Sequence, residues 1–295
     1  MMEGPATRVA YQGVPGAFSE EALLALMPEA VPLPGRTLED VFTMLDSGEV
    51  EFAFVPVENS HAGSVVEAYD LMLDFPVNVK AEWIQPVHHY LLGIEGAEPT
   101  QVERVFSHPQ ALAQTAAFLR QARLQVEPFY DTAGAAQMVA ERKDPRFAAV
   151  ASRLAGERYG LTVLAEGIQT SADNATRFVL LARGAWTAQE TVAAQGPGKT
   201  SLVFAVEHTP GALVRALSTF ARERVNLARL ESRPSRKRPW EYLFFTDVEG
   251  YAQEPSVARA LRELRRLNPF VRVLGSFPQP DGHSASEAVS KAQAS

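Results

Sequence analysis

The sequence predicts an α/β protein: a two-lobed, mostly parallel α/β region followed by a smaller βαββαβ unit of the ferredoxin-like kind. Three observations carry this. Apolar strand-like runs alternate with helical spacing from residue 7 to residue 182, which is the pattern of a sheet covered by helices. The stretch 184–199 is rich in Ala, Gln, Thr, Gly and Pro without periodicity and reads as a linker. Beyond it the periodicities run strand, helix, strand, strand, helix, strand. The predicted division is therefore 1–183, a linker over 184–199, a second domain over 200–278 and a disordered polar tail over 279–295.

The elements follow in order. Residues 7–11 form a first strand, Gln12 to Gly16 a glycine-bearing turn, and 19–27 a helix. Such a turn either brings backbone N–H groups to an anion or is a plain tight turn, and its GxxG spacing is not the GxGxxG of a dinucleotide site. Residues 38–46 are a helix with Thr37 as N-cap, closed by Ser47-Gly48. The continuous apolar run 52–57 is a strand buried on both faces, and Glu58-Asn59-Ser60-His61 follows it directly. Polar groups just past the carboxyl end of a buried strand sit where open α/β sheets bind ligands, while Ser60 or Ser64 as helix caps is the competing reading.

A helix over 65–73, strands over 77–84, 88–94 and 102–106, and a helix over 111–120 continue the alternation. Ser107 and His108 stand at a strand-to-helix junction, with Pro109 suited to the first helical position, so they either cap the helix or face a cleft. Of His88 and His89, one is expected packed and the other exposed; with no third ligand at metal spacing, no metal is expected. Strands over 124–129, 147–151 and 161–165 and helices over 132–141 and 152–159 complete the region. The polar loop 171–178 then feeds the apolar run 179–182. Within it Asn174, Thr176 and Arg177 form a compact set of donors for an oxygen-rich anion, Arg177 offering a planar fork for a carboxylate. The competing reading is a turn whose Arg pairs with a surface acid.

Composition narrows the classes. The chain has 295 residues, 46% of them hydrophobic, and no cysteine, which removes disulfides, thiolate metal sites and cysteine nucleophiles. Its start lacks the basic and apolar regions of a signal peptide and no apolar run reaches membrane length, so a soluble cytoplasmic protein is expected. The net charge of −7 hides a contrast: 200–278 sums to +5 and the remainder to −12. The arginines of the basic part are spread over several elements and one loop (Arg233, Arg236, Lys237, Arg238), with no groove-reading motif, so no nucleic-acid partner is expected.

Four segments together resemble the prephenate dehydratase family: Tyr11-Gln12-Gly13 with Gly16, Pro56-Val57-Glu58-Asn59-Ser60, Ser107-His108-Pro109-Gln110, and Asn174-Ala175-Thr176-Arg177-Phe178. Gly211-Ala212-Leu213-Val214 with Glu231-Ser232-Arg233-Pro234 resembles an ACT regulatory domain. Each piece is weak alone; their order and spacing are specific. The resemblance implies a two-lobed, periplasmic-binding-protein-like catalytic region that converts prephenate to phenylpyruvate with loss of CO2 and water, needing neither cofactor nor metal. It implies a homodimer or homotetramer, and L-phenylalanine as effector at positions matching Gly211 to Val214 and Glu231 to Pro234. Val214 stands where many relatives carry an aromatic residue. With the first strand at residue 7, the chorismate mutase domain fused to some relatives is not expected.

The substrate is a dianion with a leaving hydroxyl, so its site needs carboxylate clamps and a donor to the departing oxygen. Arg177 is the expected clamp, aided by Asn59, Ser60, Asn174, Ser107 and backbone N–H groups near Gly13. Thr176 is the expected donor to the leaving oxygen and His108 its rival. Phe178 contacts the substrate ring or packs in the core. Two alternatives stay open: the same chemistry on arogenate, whose amine replaces the keto oxygen, and a non-catalytic sensor that needs Arg177 but not the Thr176 hydroxyl.

Overall fold

The computed structural model describes residues 6–171, 173–190, 196–235 and 242–279. The expected disordered tail beyond residue 279 and the basic loop at Arg236, Lys237 and Arg238 lie outside the described residues. The chain divides into two compact units, one of Met1–Leu73 and Ile84–Phe178, the other of Asp74–Trp83 and Val179–Ser295.

The first unit has two lobes. Its first lobe runs β1 (Arg8–Gln12), α1 (Phe18–Leu26), β2 (Val31–Gly35), α2 (Leu38–Ser47), β3 (Phe52–Asn59), β4 (Gly63–Ser64) and α3 (Val66–Asp74). Here β1 is central and pairs in parallel with β2 and β3, Ala10 lying opposite Leu33 and Ala53. The Thr37 cap is present as a reciprocal box: Thr37 Oγ1 accepts from Asp40 N and the Asp40 carboxylate from Thr37 N. Gly48 closes α2 in the left-handed conformation, φ 77°.

Strand β5 (Val77–Pro86) leads to the second lobe: β6 (Tyr90–Gly93), β7 (Arg104–Ser107), α4 (Pro109–Gln114), α5 (Ala116–Gln121), β8 (Gln125–Pro128), α6 (Thr132–Arg142), β9 (Phe147–Ala151), α7 (Arg153–Tyr159) and β10 (Thr162–Ala165). Its sheet has the order β10-β6-β9-β7-β8. Strands β8 and β9 run parallel to β7, whereas β6 and β10, by which the chain enters and leaves the lobe, pair antiparallel. Neighbouring residues bury opposite faces: Leu92 and Ala149 pack beneath Ala135, Ala136 and Val139 of α6, while Leu91 and Ala148 pack with Val105 and Leu119. This is why these strands read as continuous apolar runs. The helix expected over 111–120 is interrupted at Thr115, φ −108°, whose hydroxyl donates to Ala111 O at 2.8 Å.

The lobes meet at a polar joint. Ser152, the N-cap of α7, donates to Gly16 O at 2.6 Å, and Tyr159 donates to Pro15 O at 2.7 Å. The buried Glu20 carboxylate accepts from Gly16 N at 2.5 Å and pairs with Arg158. Burial, then the charge of Glu20, pushes the Tyr11 phenol upward, so Tyr11 is a neutral donor to Glu20.

The second unit holds β11 (Ala175–Arg183) from Val179 onward, then β12 (Gly198–Ala205), α8 (Ala212–Arg222), β13 (Leu227–Pro234), β14 (Tyr242–Glu249), α9 (Pro255–Leu267) and β15 (Phe270–Pro278). The order β13-β14-β12-β15, antiparallel throughout, is the ferredoxin-like sheet. Leu202, Phe204, Phe220, Leu261 and Leu264 form its core beneath the two helices. Residues 74–83 add the first part of β5 to this unit, Val79 pairing with Gly275. A Cβ on Gly275 would lie 2.3 Å from Val79 O, so only glycine admits the strand there. Lys199 and the buried Glu82 form an ion pair at 2.8 Å beside that seam.

Candidate active site

Asn59 ends β3 and Asn174 immediately precedes β11, so the two carboxamides meet where these strands finish and begin. Asn59 Oδ1 accepts from His61 N at 3.1 Å and Ala62 N at 2.9 Å, an Asx turn that fixes the plane of the amide. Its Nδ2 then faces Asn174 Oδ1 at 2.9 Å, Ala175 O at 3.1 Å and Thr176 Oγ1 at 3.0 Å. Thr176 Oγ1 is therefore an acceptor toward Asn59, which leaves its own proton to give to a third group.

Ser60 is a fastener. Its hydroxyl donates to Asp173 O at 3.1 Å and accepts from Ala175 N at 3.0 Å, and its N–H donates to Ala175 O at 2.9 Å. Both halves of the hydroxyl are used within the protein, so Ser60 holds the loop rather than offering a free group. Asp173, exposed, accepts from Ser171 Oγ and lies 3.2 Å from His61 Nε2. Ser171 first, then the Asp173 backbone N–H and His61, hold its carboxyl below the usual range.

Three adjoining chambers lie between the lobes of the first unit. The central one, about 220 Å3, is lined by Asn59, Asn174, Thr176 and His108 together with His89 and Gln114. A flanking chamber of about 850 Å3 shares His108 and adds Gly13 and Arg36. One of about 520 Å3 on the other side shares Asn174 and Gln114 and adds Arg120. Asn174 is 4% exposed and its Nδ2 has no hydrogen-bond partner among the described residues. A buried unpaired donor is costly unless a ligand completes it.

His108 both caps α4 and lines two chambers. Its Nδ1 accepts from Gln110 N at 3.2 Å, so the ring proton sits on Nε2, the nitrogen left to meet a ligand. The other expected residues lie elsewhere. Ser107 is fully buried and donates to Val150 O at 2.5 Å, tying β7 to β9. Gly13 N donates to Gly35 O at 2.9 Å, so the turn shapes the flanking chamber without presenting that N–H. Arg177 lies outside the lining of these chambers; its Nη1 is 3.7 Å from Glu58 Oε2 and its side chain 14% exposed. Adjacent residues of a strand point to opposite faces, so Thr176 and Arg177 cannot both line one chamber. Phe178, 2% exposed, stacks on Phe54 with centroids 4.8 Å apart, which is core packing.

Sequence reasoning missed Gln114 and Arg36, and left open which of His88 and His89 is packed. His89 is the packed one, at 2% exposure. Among the described residues no group of three or more His, Cys, Asp or Glu is placed to hold a metal ion, and no helix is long and apolar enough to cross a membrane.

In the second unit, Gly211 is the N-cap of α8 with φ 78°, Ala212 is buried, Leu213 packs against the core and Val214 is 66% exposed. Glu231 pairs with Arg229 on the edge strand β13, where Ser232, Arg233 and Pro234 lie opposite Phe244, Leu243 and Tyr242 of β14.

The family model described as prephenate dehydratase matches residues 9–185 and that of the ACT domain residues 200–266. Arogenate dehydratase 1 of Petunia hybrida is 41% identical, over 94% of this chain and 68% of its own length. A structure of prephenate dehydratase from Arthrobacter aurescens in complex with L-Phe is 31% identical with a TM-score of 0.84, covering 98% of this chain and 97% of its own. A third, GqqA, described as a novel type of quorum quenching acylase, is 35% identical with a TM-score of 0.86, over 93% and 98%. The chain thus belongs to the prephenate dehydratase family, with an ACT domain following its two-lobed catalytic region.

Proposed function

We propose that the central chamber carries out a decarboxylative dehydration for phenylalanine biosynthesis, of prephenate to phenylpyruvate or of the alternative substrate arogenate to phenylalanine. The observation that carries it is the Thr176 hydroxyl, held by Asn59 so that its proton is free for a leaving oxygen. As the ring C–O bond breaks, charge grows on the departing hydroxyl. The Thr176 O–H and the His108 Nε2–H are donors whose hydrogen bonds strengthen with that charge. The electrons of the ring–carboxylate bond fill the ring as CO2 leaves, and the hydroxyl takes up one proton, passed on by these donors and replaced from solvent, to depart as water. Asn174 Nδ2 serves a carboxylate, with Arg36 and Arg120 in the adjoining chambers as the nearby cations. Arg177 positions the strand through Glu58.

Acylase chemistry, named for one structural relative, needs a hydroxyl activated by a base. Among the described residues neither Thr176 nor Ser171 is hydrogen-bonded to a histidine.

L-Phenylalanine is the effector, acting through the ACT domain at Gly211 to Val214 and Glu231 to Pro234. The protein acts in the cytoplasm as a homodimer or homotetramer. Exposed apolar side chains at Val214 on α8, Leu230 on the edge strand β13 and Tyr242 at the start of the neighbouring β14 support association there. The domains are 1–183 and 200–278 joined by 184–199.

The test is turnover of prephenate and of arogenate by purified protein, with and without L-phenylalanine, alongside Thr176→Ala. Turnover that collapses in the variant and responds to L-phenylalanine is expected. Binding of either substrate without turnover overturns the reading in favour of a sensor.

A further inference from the structure

The central chamber contains a buried acceptor that the reaction above leaves unused. His89 lines the chamber beside Asn174 and Thr176 and is 2% exposed. Its Nε2 is 2.8 Å from Gln114 Oε1. A carboxamide oxygen only accepts, so Nε2 holds the ring proton and Nδ1 keeps its lone pair. Burial lowers the pKa of the ring, against the smaller opposing effect of Gln114, which keeps it neutral. Phe18 packs edge-on against the ring at 5.3 Å, and His89 N donates to Gln169 Oε1 at 3.0 Å. The imidazole is thus held by Gln114 and Phe18 and its backbone by Gln169, and among the described residues Nδ1 has no hydrogen-bond partner.

We propose that His89 is the residue that selects the substrate side chain: its Nδ1 lone pair accepts from the ammonium of arogenate and opposes the keto oxygen of prephenate. This rests on the dehydratase reading of the chamber. The two substrates differ only at that group, which is a charged donor in one and an acceptor in the other. A fixed, buried acceptor pairs with the first and meets the second lone pair to lone pair, so it discriminates through attraction and repulsion together. Asn174 Nδ2, the unpaired donor of the same chamber, suits the side-chain carboxylate, which both substrates carry beside the group that differs. One unpaired acceptor and one unpaired donor complement an α-ammonium carboxylate.

The experiment compares kcat/KM for arogenate and prephenate in wild type, His89→Leu and His89→Asn. Wild type is expected to favour arogenate by at least about tenfold. His89→Leu lowers that ratio at least about tenfold by losing arogenate turnover selectively, and His89→Asn, which restores an acceptor, recovers part of it. Equal losses on both substrates, an unmoved ratio, or a wild type that prefers prephenate overturns the proposal. Should His89→Leu not fold, Gln114→Leu at the half-buried neighbour releases the tautomer, and an unchanged ratio there overturns it equally. Protein inert toward both substrates removes the dehydratase reading and this one with it; turnover with an unmoved ratio removes this one alone.

Discussion

The Asn59 amide donates to Thr176 Oγ1 at 3.0 Å while its own oxygen is held by two backbone N–H groups, so the direction of the threonine proton is decided by a residue more than a hundred positions away. Thr176→Ala removes the donor and is expected to lower kcat about 10²–10³-fold with little change in KM. Thr176→Ser retains most activity. Asn59→Ala also lowers kcat, and the Asn59→Ala/Thr176→Ala double variant falls by less than the product of the single effects, because both act on one proton. Steady-state kinetics on the four proteins checks this, and multiplicative losses would show Asn59 working separately.

Arg177 pairs with Glu58 across neighbouring strands rather than entering the chamber. Arg177→Met is therefore expected to destabilise the protein by roughly 1–2 kcal/mol, in the range of a lost partly exposed pair plus packing. The KM of the surviving folded enzyme should rise less than about threefold. Chemical denaturation together with KM decides; a large KM rise at unchanged stability would restore Arg177 as the carboxylate clamp.

The particular residues show what the sequence disclosed. The capping box at Thr37 and the left-handed Gly48 are local and were legible. Strand β2 was not: Val31-Pro32-Leu33-Pro34-Gly35 contains two prolines, normally a bar to pairing. It forms because, among the described residues, β2 pairs only with β1, with Val31 N donating to Thr7 O. Pro32 and Pro34 then fall at the alternate positions that face the open edge. The motif residues were found as a set, but which of them face the chamber was not, because strand parity separates Thr176 from Arg177 and register alone shows which side each takes. His89 owes its state to Gln114, 25 residues on, a contact no local pattern encodes.

Gly16 sits at the lobe joint with φ 89°, and a Cβ there would lie 2.8 Å from Ala155 Cα, a backbone atom that cannot swing aside. Gly16→Ala is expected to cost about 1–3 kcal/mol and to weaken the Ser152 to Gly16 contact between the lobes. The paired observation is a lower denaturation midpoint with kcat/KM reduced as well. A variant as stable and active as wild type would show that the joint yields freely.

Phe178 stacks on Phe54 in the core, so Phe178→Ala should lose about 3–5 kcal/mol. Phe178→Leu, milder in volume, should leave KM within about twofold of wild type. A KM effect from the leucine variant larger than its effect on stability would return Phe178 to the substrate.

Burial holds the folded pKa of His89 below the ordinary histidine value of about 6.5, and this gives stability a definite pH dependence. Above about pH 6.5 the ring is neutral in folded and unfolded chains alike, and the group contributes no slope. As pH falls from there toward the folded pKa, the unfolded chain binds a proton that the folded one does not, so stability is lost. The expected result is a melting temperature that drops between pH 7 and pH 5 more steeply in wild type than in His89→Gln, which cannot titrate. Parallel pH profiles for the two proteins would mean that the imidazole takes up a proton in the folded protein as readily as in the unfolded chain, so that burial does not protect the lone pair of Nδ1.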